Sequence, residues 1–155
     1  MSNESSPDVQ NLEHHECWAM LRTVSVGRLA VMADGRPDIF PINYSVDGGT
    51  VVFRTGQGTK LSAASGDAAV AVEADGVDPE SGLAWSVVVK GTAEVVKRAE
   101  DVLDTSRLYL FPWQAGRKDA FVRITPDSVT GRRFKVTEPM TWWTQISSSA
   151  KSAHE

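Results

Sequence analysis

Residues 27–55, GRLAVMADGRPDIFPINYSVDGGTVVFRT, read as three strands separated by two tight turns. Arg28 to Ala33, Asp38 to Val46 and Thr50 to Thr55 favour Val, Ile, Phe and Tyr, side chains that suit a pleated, half-buried surface. Between them, Asp34-Gly35 and Asp47-Gly48-Gly49 supply residues that tolerate positive φ, as short hairpins require. The stretch is therefore predicted to be an antiparallel meander. Pro37 and Pro41 fall within the middle segment, Arg36 to Tyr44. Proline has no ladder donor, so this strand should run along an edge or turn backbone groups towards something other than a neighbouring strand. Two readings stay open at this point: a flat polar ligand uses those groups, or the strand is an ordinary edge with irregular pairing.

Four further strand-like segments follow, Ala68 to Glu73, Ala84 to Val96, Ala120 to Thr125 and Ser128 to Val136, with Gly82 and Gly91 marking bends or bulges. Upstream, Leu12, Trp18, Leu21 and Val24 recur near helical spacing, which predicts a helix from Asn11 to Val24 with Asn11 as its cap. Shorter helices are predicted over Thr59 to Ser65 and Arg98 to Tyr109. Short hairpins leave no room for the crossover helices of a parallel doubly wound sheet. The expected class is mainly β with flanking helices, folded as a closed or partly closed antiparallel barrel.

Composition narrows the function. A chain of 155 residues that is 41% hydrophobic and 23% charged builds one core. A single domain is expected over 11–143, with disordered tails over 1–10 and 144–155, where Ser and charge dominate. A net charge of −4 lacks the footprint of a general nucleic-acid binder. No stretch approaches the ~18 to 20 apolar residues that span a bilayer, and MSNESSPDVQ has neither the basic start nor the apolar run of a secretory leader. No membrane partner and a cytoplasmic location are expected. The single Cys17 excludes an internal disulfide.

The richest chemistry lies in Val51 to Leu61, VVFRTGQGTKL. A strand ends at Arg54, Gly56 and Gly58 let the backbone turn, and Thr59-Lys60 stand where a helix begins. Arg offers a planar fork of donors, Lys a mobile charge, each Thr a hydroxyl and a helix start its unpaired N–H groups, a set that suits a phosphate. The plain alternative is a strand-turn-helix corner with two solvated cations, and the ending is not that of a nucleoside-triphosphate loop. His14-His15 and Cys17 have no second ligand pair, so no metal site is expected, and Cys17 should pack as a small apolar group. No Gly-x-Ser-x-Gly elbow exists, and both helix histidines precede every strand, which argues against a Ser-His-Asp hydrolase. Trp18 should be core. Phe111, Trp113, Trp142 and Trp143 sit in irregular segments and suit dimer packing or a pocket wall. Arg132-Arg133 form either a solvated strand face or positive charge for an anionic substrate or phosphate.

Four motifs in order, Gly27-Arg28-Leu29-Ala30, Pro37-x-x-x-Pro41-Ile42-Asn43-Tyr44, Phe53-Arg54-Thr55 with Gly58-Thr59-Lys60-Leu61, and Trp85-Ser86-Val87-Val88-Val89-x-Gly91, resemble those of the pyridoxamine phosphate oxidase-like flavin-binding proteins. Gly131-Arg132-Arg133-Phe134 is a weaker match. The resemblance implies an FMN-binding split β-barrel, antiparallel and Greek-key-like, that works as a homodimer with FMN in a groove between subunits. It puts phosphate binding on Arg54, Thr55, Thr59 and Lys60, lays the strand Phe40, Pro41, Ile42 and Asn43 along the isoalloxazine ring, and brings Ser86 near that ring. It implies an FMN-dependent oxidoreductase acting on a small molecule, with NADH or NADPH as a candidate reductant and no obligatory catalytic side chain, because the cofactor carries the redox chemistry. The alternatives are a non-catalytic flavin carrier, store or sensor, and a reductase using deazaflavin. The Arg-and-His substrate pattern of the true oxidases is missing near the end of this chain, so oxidation of pyridoxine phosphate is not expected.

Overall fold

The computed structural model describes residues 8–55, 68–96 and 120–136. In chain order these form strand β1 (Val9–Asn11), helix α1 (His14–Leu21) and strands β2 (Val26–Ala33), β3 (Arg36–Asp47), β4 (Thr50–Thr55), β5 (Ala69–Val77), β6 (Leu83–Val96) and β7 (Ala120–Lys135). The predicted helices over 59–65 and 98–109, and Phe111, Trp113, Trp142 and Trp143, lie outside the described residues.

The meander forms as its turns dictate. Asp34 and Gly35 take φ of 54° and 74° between β2 and β3, and Gly48 and Gly49 take 55° and 74° between β3 and β4. Both pairs have positive φ at two central positions, which matches the right-handed twist of the flanking strands. All pairings are antiparallel, in the order β1-β7-β4-β3-β2-β5-β6 with β7 also paired to β6. The run of pairings that leaves β7 through β4 thus returns to it through β6.

One face of these strands carries Leu29, Val31, Ile42, Tyr44, Val51, Phe53, Val72, Val87, Val89, Val122 and Ile124, all buried in one cluster. Burying each such side chain contributes about 1.5–3 kcal/mol. Helix α1 adds Cys17, Trp18 and Leu21 to the same core and packs against β6 and β7. The buried Tyr44 hydroxyl donates to the Leu21 carbonyl at 2.7 Å and so ties the end of α1 to β3.

Three expectations need correction. The helix starts at His14, because Asn11 is taken up by β1, where it pairs with Arg132. Its start is secured by a capping box in which the Glu13 backbone N–H donates to Glu16 Oε2 at 2.9 Å. Val9 and Gln10, expected in a disordered tail, pair with Phe134 and Arg133. The last two predicted strands are one, β7. The break expected between Thr125 and Ser128 is no strand end: the β6–β7 register steps from Lys90↔Ser128 to Gly91↔Pro126 and absorbs Asp127 as a bulge. Gly91 is required there, since a Cβ would collide with the Thr125 carbonyl oxygen.

Candidate functional site

Strand β3 changes partner along its length. Arg36 to Asn43 pair with β2, and Tyr44 to Asp47 pair with β4. Asn43 and Arg54 each lie one residue past the Tyr44–Phe53 pair, so they flank the fork where β3 and β4 part. Alternation turns Ile42 and Tyr44 into the core, with Phe40 packed against it, and leaves Pro41 exposed and Asn43 half-buried on the outer face. Of the strand expected along a flavin ring, Pro41 and Asn43 present side chains outward, whereas Phe40 and Ile42 have only backbone to offer.

Arg54 is half-buried on the outer face, opposite Phe121 of β7, with its guanidinium carbon 5.6 Å from the ring centroid. A flat aromatic face holds a guanidinium in place at little cost to its outward donors. Thr55 closes β4 opposite Ala120. Thr59 and Lys60 lie outside the described residues.

Ser86 stands elsewhere. It is half-buried in β6, opposite Asp75 of β5 and Arg132 of β7. The rung that carries Arg54 and Phe121 meets β6 at Val96, ten residues from Ser86, roughly 30 Å along an extended strand. Within one chain the fold gathers Asn43, Arg54 and Thr55 at one fork and holds Ser86 well away from them. Ser86 borders a cavity of about 270 Å³ lined by Asn11, Ser86, Val88, Thr130, Gly131 and Arg132.

A charged cluster that the sequence reading did not single out lies on the same outer face. Arg28, opposite Pro41, reaches Glu73 Oε2 at 3.3 Å and Asp75 Oδ2 at 3.1 Å through one nitrogen, Nη1. Partial burial pushes the Glu73 carboxyl up to about 7, reinforced by its hydrogen bond to Asp75 and the charge there, and opposed by Arg28. The signal available beforehand was the Glu73-x-Asp75 spacing, which puts both carboxylates on one face of a strand. Arg123, also on an outer position, bonds Asp47 Oδ2 at 2.9 Å and Thr50 Oγ1 at 2.8 Å, fastening the β3–β4 turn to β7.

Helix α1 carries no such constellation. Trp18 Nε1 donates to His14 Nε2 at 3.4 Å, His15 is solvent-exposed beside Glu13, and Cys17 is fully buried with its thiol pushed up by desolvation. No described helix is long and apolar enough to cross a membrane.

The family model described as pyridoxamine 5′-phosphate oxidase matches residues 13–133. The uncharacterized protein Rv0080 of Mycobacterium tuberculosis is 39% identical over 137 residues, which cover 85% of this chain and 90% of that one. Among solved structures, a candidate pyridoxamine 5′-phosphate oxidase of Corynebacterium glutamicum is 40% identical with a TM-score of 0.74, over 83% of this chain and 99% of that one. An FAD binding protein of Mycobacterium smegmatis is likewise 40% identical, with a TM-score of 0.68, over 81% of this chain and 98% of that one. Motif order, fold and these matches agree: the chain belongs to the pyridoxamine 5′-phosphate oxidase-like family of flavin-binding proteins.

Proposed function

We propose that the protein is a cytoplasmic, homodimeric flavin-dependent oxidoreductase that acts on a small molecule, with NADH or NADPH as reductant. The observation that carries this reading is the half-buried Arg54 guanidinium held over Phe121 at the β3–β4 fork. That corner fits a flavin phosphate, with Arg54 and Thr55 followed in sequence by Thr59 and Lys60. The Phe40 to Asn43 strand would offer its backbone, Pro41 and Asn43 to the ring. When bound, the flavin supplies two-electron transfer; the chain's own groups bind it, orient it and exclude water.

Two features support a homodimer. Arg54 and Ser86 are too far apart along one chain for one nucleotide to touch both, so a groove between two copies would take the phosphate corner from one and Ser86 from the other. The outer face also bears Met32 and Ile39, 60% and 65% exposed, beside a shallow groove of about 340 Å³ lined by Ala30, Pro37, Ala69 and Ala71 among others. Apolar surface of this kind on a soluble chain marks an interaction face.

FMN is the first choice of cofactor, since its single phosphate matches the corner. FAD is the second reading, favoured by the FAD-binding relative at 40% identity. The test is the visible spectrum of purified protein, followed by fluorescence of the released cofactor before and after phosphodiesterase. A two-peak flavin spectrum supports the proposal. A rise in fluorescence on cleavage identifies FAD, and constant fluorescence identifies FMN. A spectrum lacking the two peaks points to deazaflavin, and colourless protein that ignores added flavin refutes the site. Bleaching by NADH or NADPH and reoxidation by an acceptor marks an enzyme, whereas a carrier or sensor stays yellow until dithionite is added.

A further inference from the structure

The cavity beside Ser86 is built from three adjacent strands whose register aims every lining side chain to one side. Asn11 of β1 pairs with Arg132 of β7, Arg132 pairs with Ser86 of β6, and Thr130 pairs with Val88 two residues along. Side chains at these positions share the outer face, since Val87 and Val89 between and beyond them are buried in the core. Within about 270 Å³ they gather a guanidinium, an amide and two hydroxyls, with the Val88 side chain as an apolar wall and no carboxylate in the lining.

Arg132 has no carboxylate within ion-pair distance among the described residues, in contrast to Arg28 and Arg123. Asp75 is the acid nearest in register, opposite Ser86, and it is engaged by Arg28. The cavity is therefore positive and rich in donors. It is also pre-organised. The Leu12 N–H donates to the Gly131 carbonyl at 2.9 Å, anchoring β1 beside β7. Gly131 is packed so closely on α1 that a Cβ there would stand 2.8 Å from Cys17 Sγ. The backbone that presents Thr130 and Arg132 is thus fixed against the core.

We infer that this cavity binds the oxyanion head, carboxylate or phosphate, of a small ligand whose apolar body lies against Val88. Its volume is just below the ~300 to 1,000 Å³ of drug-sized sites, which suits a ligand of about the size of benzoate and excludes an entire flavin nucleotide. Arg132 would supply the charge, and Ser86, Thr130 and Asn11 would supply directed donors. The inference touches the flavin reading through Ser86, which the proposed groove between copies would share, whereas the phosphate corner at Arg54 of the same chain lies ten residues away along β6, roughly 30 Å.

The test is titration of the full chain with benzoate, phenyl phosphate and neutral benzamide, followed by calorimetry. Benzoate or phenyl phosphate should bind at least about tenfold more tightly than benzamide, the scale of one charge-assisted contact. The tighter of the two identifies the head group as carboxylate or phosphate. Arg132→Ala should abolish that preference, Arg132→Lys should restore part of it, and Ser86→Ala should weaken it severalfold. Arg54→Ala should lower flavin content, and benzoate affinity that persists in this flavin-poor variant shows that the cavity binds the acid by itself. Equal binding of benzamide, or unchanged acid binding in Arg132→Ala, overturns the inference whether or not the protein is yellow.

Discussion

Replacing Tyr44 by Phe tests how the helix is held on the sheet. The hydroxyl is buried, 2.7 Å from the Leu21 carbonyl, and the Leu21 residue has no exposed surface. Removing the donor loses a hydrogen bond of net value about 0.5–1.5 kcal/mol and leaves a buried carbonyl at the helix end, which raises the expected cost to about 1–3 kcal/mol. Ring packing is unchanged, so the loss reports the bond and not a cavity. With a urea slope of about 2 kcal/mol per molar, the unfolding midpoint should fall by roughly 0.5–1.5 M. Trp18 and Trp85, both buried, give the fluorescence signal. Protein and flavin concentrations must match between variants, since ligand and subunit binding stabilise the folded state by mass action. A midpoint shift below about 0.2 M, or a change in slope with the midpoint constant, would refute the idea that this bond anchors α1.

Other perturbations probe the outer face. Glu73→Gln should stabilise the protein above pH 7 and lose this advantage as pH falls towards 4.5. The folded-state carboxyl is raised to about 7, so the unfolded chain ionises first and wild-type stability drops as pH rises through that window. A shift of this size on a fully buried group corresponds to about 3 kcal/mol, and with the Glu73 side chain 32% exposed we expect about 1 kcal/mol after screening; urea midpoints at pH 5 and 8 measure it, and an equal effect at both would contradict the assignment. Arg123→Met should cost about 1–2 kcal/mol by releasing Asp47 and Thr50 from β7, read by the same denaturation. Ile39→Lys should shift gel-filtration light scattering from dimer to monomer and deplete flavin together; a monomer with full flavin would rule out a groove shared between copies.

The strands were legible wherever local chemistry decides them. Asp34-Gly35 and Gly48-Gly49 can form few structures other than hairpins between apolar runs, and both do. Arg54 stood out because a cation at the end of a buried strand needs a reason. Strand β1 was hidden because three residues, Val9 to Asn11, hold too little pattern to read, and their pairing with β7 spans more than a hundred residues. Asn11 looked like a helix cap for the same reason: an amide serves equally well at a helix start or on a strand edge. The segments 120–125 and 128–136 read as separate because a bulge depends on the partner strand, which a local reading does not contain. The Ser86–Arg132 juxtaposition is out of reach on the same grounds, since the sequence shows Arg132-Arg133 only as local charge.

Strand β7 joins β4 on one side, β6 along nearly its whole length, and β1 near its end. Synthesis delivers it after every other strand described, so a nascent chain that has emerged through residue 96 lacks the strand that pairs along the edges of β4 and β6. Such edges are templates for pairing with other chains, and their closure waits on contacts of long sequence separation, which form slowly. The hazardous interval for this protein is therefore the time the ribosome takes to add residues 97–135, and slowing elongation there should favour aggregation over folding.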